Sequence, residues 1–307
     1  MENQYQNGIA VDTRTPDKKA LDYRHEDLAG AIILDWKEKP VSEWKKYTPR
    51  EQDGSLSCVG QSCAKALEIL GNEVSSAHPI YRSRENYPSG GMWLQNSGNI
   101  CRSIGTTTEV LDVSQHQNEA QMNRDILVAT PIKVGGYIFV APKDINAIAE
   151  AIGLHKHCIL IFHANKSEWN DIPQYNGGVV NFGHCVVAVD YFLYKGQKVL
   201  LIEDSTGWYS SFDKKGQRLI TEDFLKARCD GAMYLISELP KPKLVFTRNL
   251  KIGCIGEDVK KLQLRLKIGA DGLFGVKTKS AVVKFQTENN LVPDGICGRK
   301  TVEALNK

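Results

Sequence analysis

The alternation of apolar and polar positions changes period along the chain, and the changes mark its elements. In CVGQSCAKALEILG, residues 58–71, Val59, Cys63, Ala66, Leu67 and Leu70 fall at helical spacing on one face, and Gly71 supplies a stop. The spacing predicts a buried helix, with Ser57 as its N-cap and Cys58 in its first turn. Further on, KHCILIFHA, HCVVAVDYFLY and KVLLIED are rich in β-branched and aromatic residues and read as strands, with the YKGQK between the last two as a hairpin turn. A helix early and a sheet late predict an α+β body.

The periodicity stops in ELPKPKLVF, residues 238–246, whose two prolines and two lysines have the composition of an extended linker. This predicts an N-terminal extension (1–30), a body (31–238), a linker (239–246) and a tail domain (247–307). The tail repeats itself: DGLFGVKTKSA and DGICGRKTVEA share D-G-x-x-G-x-x-T-x-x-A at an interval of 23 residues. Each copy reads as a tight Asp-Gly turn, a second glycine for close approach, and a threonine placed to start a helix. With Val259, Leu262 and Leu266, then Ala281, Val282 and Phe285, then Val302 and Leu305, the tail reads as three short helices around one core.

Composition narrows the class of protein. An apolar fraction of 42% and a charged fraction of 24% are those of a folded globular chain. No apolar run approaches the roughly 20 residues of a membrane span. The polar first 28 residues hold no apolar core of a secretion signal, so synthesis in a cytoplasm and exit by another route are expected. From Phe246 onward 12 basic residues face 6 acidic ones, a net of +6, against 27 basic and 30 acidic before it. A basic tail on a slightly acidic body suits an anionic surface, and nothing in the pattern points to nucleic acid. The eight cysteines are scattered without a CxxC pair, which disfavours a disulfide scaffold or structural zinc.

Cys58 stands apart from the other seven. A thiol at a helix start sits where backbone N–H groups and the helix dipole favour the thiolate. Six residues upstream, Gln52 offers a side-chain amide that, with the Cys58 backbone N–H, forms a candidate oxyanion hole. QDGSLSC resembles the Q-G-x-x-x-S-C-W-A-F signature of the papain family, with glutamine and cysteine in the same register. LDWKEKPV (34–41) resembles the D-W-R segment opening the mature enzymes. SGGMW (89–93) resembles the Asn-Gly-Gly stretch that pairs with substrate backbone, NFGHCVVAVDY (181–191) the histidine strand, and VLLIEDSTGW (199–208) the I-K-N-S-W-G strand. The histidine lies 126 residues after the cysteine.

The resemblance implies a papain-like two-lobed fold, with a helical N-terminal lobe and an antiparallel sheet in the C-terminal one. It implies Cys58 as nucleophile, His184 as its base and then acid, Asp204 orienting His184, and Gln52 holding the oxyanion. Gly90 and Gly91 are the expected substrate-binding backbone, since side chains there block close approach. No cofactor or metal is expected. His155, His157 and His163 share parity along one apparent strand, but no carboxylate or cysteine in ligand spacing supports them as a metal site. Three departures from the family stand out: Val59 replaces a tryptophan, Asp204 an asparagine, and Thr206 the tryptophan that shields it, which predicts a wetter Asp204 unless Trp208 covers it. Cys63, about 140° around the helix from Cys58, and Cys185, opposite in the strand to His184, read as core.

In the tail, G-x-D-V-x-x-L-Q, D-G-x-F-G-x-x-T, A-V-x-x-F-Q and D-G-I-x-G-x-x-T resemble the peptidoglycan-binding domain of bacteria and phages. The resemblance implies peptidoglycan as partner through residues 247–307. Cys254 and Cys297, after similar glycine turns, form a candidate pair. The expectation is a monomeric cysteine peptidase that degrades the cell wall after lytic release or from a phage particle. One alternative is a protein-cleaving protease anchored to the wall by the tail; another is an inactive wall-binding or virion structural protein. Residues 1–30 are too short for a full papain-type inhibitory prodomain, though long enough to strap across a cleft.

Overall fold

The predicted helix spans Cys58–Gly71 (α1), but every residue from Cys58 to Glu68 is buried, so it has no solvent face. It lies between the helices His78–Arg82 and Leu94–Ser103 (α2) and the central sheet, which is why polar Gln61, Ser62, Lys65 and Glu68 are interior as well. These polar groups are paired there. Gln61 accepts from Arg50 at 2.9 Å, and Lys65 donates to Glu68 at 2.9 Å. In this computed structural model the described residues are 9, 22–28, 32–71, 73–206, 216–238, 244 and 246–306. The chain divides into two units, Met1–Leu239 and Pro240–Lys307.

The sheet has six antiparallel strands: β1 (Gly136–Phe139), β2 (Cys158–Ala164), β3 (Phe182–Tyr194), β4 (Gln197–Glu203), β5 (Gln217–Thr221) and β6 (Cys229–Ile236). Their order is β1-β6-β2-β3-β4-β5. The predicted runs are β2, β3 and β4, and Lys195 and Gly196, both with positive φ (52° and 77°), make the two-residue turn of the β3–β4 hairpin. One face of the sheet packs Ile161, Cys185, Val187 and Leu201 with α1 and α2. The other packs Phe162, Val186, Leu200 and Ile220 with helices Ile145–His155 (α3) and Glu222–Arg228 (α4). With both faces covered, β3 is buried without interruption from Gly183 to Asp190. Continuous apolar runs are what such a sheet demands.

The segment LDWKEKPV lies along the end of β3, where Glu38 bridges Leu193, Lys39 Nζ meets Asp190 at 2.7 Å, and Trp36 packs edge-on against Tyr191. Of the N-terminal extension, Ile9 forms a parallel bridge with Met92, next to Gly91, and Arg24 one with Phe139. The three histidines do not share a strand face. His155 closes α3, whose helix stops at left-handed Lys156, and stacks on Tyr234. His157 precedes β2 and is held by two backbone groups, the His155 carbonyl (2.9 Å) and the Leu235 N–H (3.0 Å). Only His163 is on β2, paired with Asp230 at 3.0 Å. No helix among the described residues is long and apolar enough to cross a membrane.

The second unit holds helices Glu257–Arg265 (α5), Val276–Glu288 (α6) and Arg299–Leu305 (α7) around Leu250, Val259, Leu262, Phe274, Val282, Cys297 and Leu305. The repeat has a structural cause. Gln263 is buried and its amide donates to Asp271 (2.7 Å), the Leu273 carbonyl (3.0 Å) and Thr278 (3.0 Å), while its oxygen accepts from Gly272 N–H (2.8 Å). Gln286 repeats each bond with Asp294, Ile296, Thr301 and Gly295. The threonines therefore do not start the helices: Gly275 and Gly298 take the N-cap positions, and Thr278 and Thr301 sit inside the first turn, facing the glutamine. Gly272 and Gly295, with φ of 76° and 73°, make the tight turns. Cys254 and Cys297 are free thiols, Cys297 in the core and Cys254 half-buried.

Candidate active site

Cys58 is the first residue of α1, so its thiol lies beside the unpaired N–H groups of a fourteen-residue helix. His184 is the third residue of β3, and Asp204 follows the last residue of β4. The β3–β4 hairpin returns the chain so that these two meet, although 20 residues separate them. His184 Nε2 and Asp204 Oδ1 are 2.7 Å apart and both side chains are buried. The other ring nitrogen is left for the Cys58 thiol, which acts with Asp204 in holding the imidazolium proton.

The carboxylate is enclosed by donors. Thr206 gives both its N–H (2.9 Å) and its hydroxyl (2.8 Å) to Oδ1, while Trp169 Nε1 (2.8 Å) and Arg218 Nε (2.9 Å) give to Oδ2. Its backbone is fixed as well, with Asp204 N–H donating to the Gly216 carbonyl at 2.7 Å. A Cβ on Gly216 (φ 83°) would lie 2.6 Å from the Asp204 carbonyl oxygen, so glycine is required there.

The predicted wetter aspartate is thus corrected: Asp204 is 4% exposed. The shield is Trp169, which stands edge-on to the His184 ring at 5.6 Å and comes from the segment after β2. Trp208 lies outside the described residues. Trp169 and Arg218 are the two members that sequence reasoning missed. The available signal for Arg218 was weak, one charge in the mixed run QRLIT.

Burial alone would push the His184 imidazolium down. The charge and hydrogen bond of Asp204, and then the Cys58 thiol, outweigh it and raise the imidazolium to about 10. Burial likewise works against the Asp204 carboxylate, but His184, Arg218 and Trp169 hold it well below the usual range. A protonated imidazole beside a cysteine at a helix start is an arrangement suited to thiol chemistry.

Gln52 is buried next to this group. Its Nε2 donates to the Ser55 carbonyl (2.7 Å), its Oε1 accepts from the Ser205 hydroxyl (2.8 Å), and its backbone N–H donates to the Ser205 carbonyl (2.9 Å). A primary amide has two N–H hydrogens, so one stays available to an oxyanion.

Gly90 is exposed, and the Leu56 side chain packs where its Cβ would be. Gly91 is buried with φ of 73°. Its N–H donates to Tyr81 Oη at 3.2 Å, and Asn86 Nδ2 donates to the carbonyls of both glycines. Cys63 and Cys185 lie in the core between α1 and the sheet.

This is the fold of the papain-like cysteine proteases. It matches the cysteine protease xylellain from Xylella fastidiosa with a TM-score of 0.58 and 13% identity, covering 78% of this chain and 99% of that one. Bromelain from Ananas comosus, solved in complex with the E64 inhibitor, matches with a TM-score of 0.50 and 15% identity over 62% of this chain and 94% of its own.

The second unit has a separate kinship. Residues 255–305 match the family described as "Putative peptidoglycan binding domain". A curated relative, the "Probable N-acetylmuramoyl-L-alanine amidase" of Bacillus licheniformis, is 45% identical over 65 residues, 19% of this chain and 18% of that protein. The chain thus joins a papain-like fold to a C-terminal peptidoglycan-binding domain, and it matches under a fifth of the length of that relative.

Proposed function

We propose that the protein is a cysteine endopeptidase that degrades bacterial peptidoglycan, held on its substrate by the C-terminal domain. The observation that carries this is His184 between Asp204, at 2.7 Å, and a thiol at the start of α1, in a chain whose tail belongs to a wall-binding family. Cys58 thiolate attacks the scissile carbonyl, and the oxyanion is received by Gln52 Nε2 and the Cys58 N–H. His184 protonates the leaving amine, then takes a proton from the water that hydrolyses the thioester. Asp204 keeps the ring turned toward the thiol throughout. Gly90 and Gly91 form the ledge along which substrate backbone lies.

Tethering raises the enzyme's effective concentration at the wall. A phage or prophage lysin, acting at the wall after release or from a virion, is the setting that suits this architecture. The test is incubation of purified peptidoglycan with the wild type and Cys58→Ala, followed by product masses. New amino termini from the wild type alone are expected. A second reading, a protein-cleaving protease for which the tail is an anchor, is favoured by the proteases whose fold it shares. Casein cleavage with no release from peptidoglycan would select it.

A further inference from the structure

The papain-like pattern places a neutral amide where this chain has Asp204, and the chain adds a cation behind it. Arg218 is on β5, opposite Ile202 of β4, and its side chain is 2% exposed. A buried guanidinium is costly unless an anion meets it. Its Nε donates to Asp204 Oδ2 at 2.9 Å, and Nη1 is 3.7 Å from Asp171, whose own carbonyl accepts the Leu219 N–H. Imidazole and guanidinium therefore take the two different oxygens of one carboxylate.

An aspartate facing imidazole without compensation would hold the imidazolium proton too firmly for release to a leaving amine. We propose that Arg218 is a positioning residue that sets the proton balance of the Cys58–His184 pair by offsetting the charge of Asp204. This rests on the peptidase reading above.

The other charged and titratable groups around the pair have separate partners or positions. Cys185, beside His184 in β3, faces α1, and burial and then Cys58 push its thiol up. Glu203 accepts from Gln217 at 3.0 Å. Arg50, Lys65 and Glu203 line a small cavity with Asp204, and Arg50 and Lys65 are engaged with Glu68, 3.7 and 2.9 Å away. Besides His184 itself, Arg218 is a cation that donates directly to the Asp204 carboxylate.

The experiment compares Arg218→Met, Arg218→Lys, Asp204→Asn and the double variant Asp204→Asn/Arg218→Met in the full chain. The first readout is turnover against pH, whose alkaline limb reports loss of the His184 proton. The second is the rate of Cys58 alkylation by iodoacetamide, which needs no substrate. Arg218→Met leaves Asp204 uncompensated, so its alkaline limb should move up by about one pH unit, with kcat lower by about tenfold.

Arg218→Lys should keep the wild-type limb. Asp204→Asn should move it down, and the double variant should return toward the wild type. An Arg218→Met enzyme that is less stable but has an unmoved limb overturns the proposal and makes Arg218 purely structural. If Arg218→Met does not fold, the neutral double variant decides, because a limb no different from that of Asp204→Asn alone also overturns it. A wild-type Cys58 inert to iodoacetamide at every pH sinks the peptidase reading itself, whereas a reactive Cys58 with unmoved limbs sinks only the role of Arg218.

Discussion

The Ser205 hydroxyl donates to the Gln52 side-chain oxygen at 2.8 Å, across 153 residues of sequence. Because Ser205 follows Asp204, one turn of chain fixes both the carboxylate on His184 and the amide proposed for the oxyanion hole. With the Ser55 carbonyl accepting from Nε2, only one orientation of that amide satisfies both neighbours. Gln52→Ala should lower kcat by about 10²–10³-fold. Ser205→Ala, which only frees the amide to rotate, should cost about tenfold. Alkylation of Cys58 by iodoacetamide develops no oxyanion and should stay unchanged in both. Equal losses in turnover and alkylation would point instead to a displaced α1.

Gly90 makes a steric prediction. A Cβ on Gly90 would lie 2.2 Å from Leu56 Cδ1, and Leu56 is two residues before Cys58. Its backbone N–H is held by Glu119 at 2.8 Å, so the side chain, not the backbone, must yield. Gly90→Ala should cost about 0.5–1.5 kcal/mol of stability by turning the half-buried Leu56 side chain off its rotamer, and should lower turnover. Leu56→Ala in the same chain should restore the stability. Thermal unfolding and kcat/KM of the three variants check it, and a double variant no better than Gly90→Ala would mean the glycine is needed for the backbone itself.

Much of this was legible in the sequence, and the part that was not has a physical cause. Cys58, Gln52 and His184 were readable because each sits at an element boundary or in a motif with a fixed register. Strands β2, β3 and β4 were readable because both faces of the sheet are covered, which leaves long apolar runs. Strands β1, β5 and β6 carry shorter or mixed runs, such as GYIF and QRLIT, that periodicity does not separate from loops. Trp169 and Arg218 escaped for a different reason. They converge on Asp204 from segments 35 residues before and 14 after it, Arg218 through strand pairing and Trp169 from the segment that follows β2. The histidine parity misled because α3 runs to His155 and ends on a left-handed lysine, a boundary that alternation does not reveal.

The tail's twin glutamines predict a local stability effect. Gln263→Ala or Gln286→Ala leaves the N–H of Gly272 or Gly295 buried without its acceptor. Each should lower the stability of the second unit by about 1–3 kcal/mol. In the full chain, retention on purified sacculi should be lost at a lower temperature, while turnover of a soluble peptide stays at the wild-type rate. Loss of both together would contradict a separate folding role for the tail glutamines.

The His184–Asp204 pair also makes the stability of the first unit depend on pH, with a definite sign. Burial pushes the His184 imidazolium down, but Asp204 and then Cys58 carry it from 6.5 to about 10 in the folded chain. The stabilisation it supplies is whole below 6.5 and fades as pH rises toward 10. Burial alone would raise the Asp204 carboxylate, yet His184, Arg218 and Trp169 hold it below its ordinary 3.8. Its contribution is therefore whole above that value and is lost only in stronger acid. The two overlap fully between 3.8 and 6.5. Thermal midpoints of the wild type should be highest there and decline from neutral pH to pH 10. Asp204→Asn should lower the midpoint throughout, because Arg218 then loses its hydrogen-bonded carboxylate and keeps Asp171 at 3.7 Å, and should flatten the alkaline decline, because the neutral amide no longer holds the imidazolium. The slope is the decisive quantity: an equally steep decline in Asp204→Asn would show that the proton on His184 is not held by Asp204.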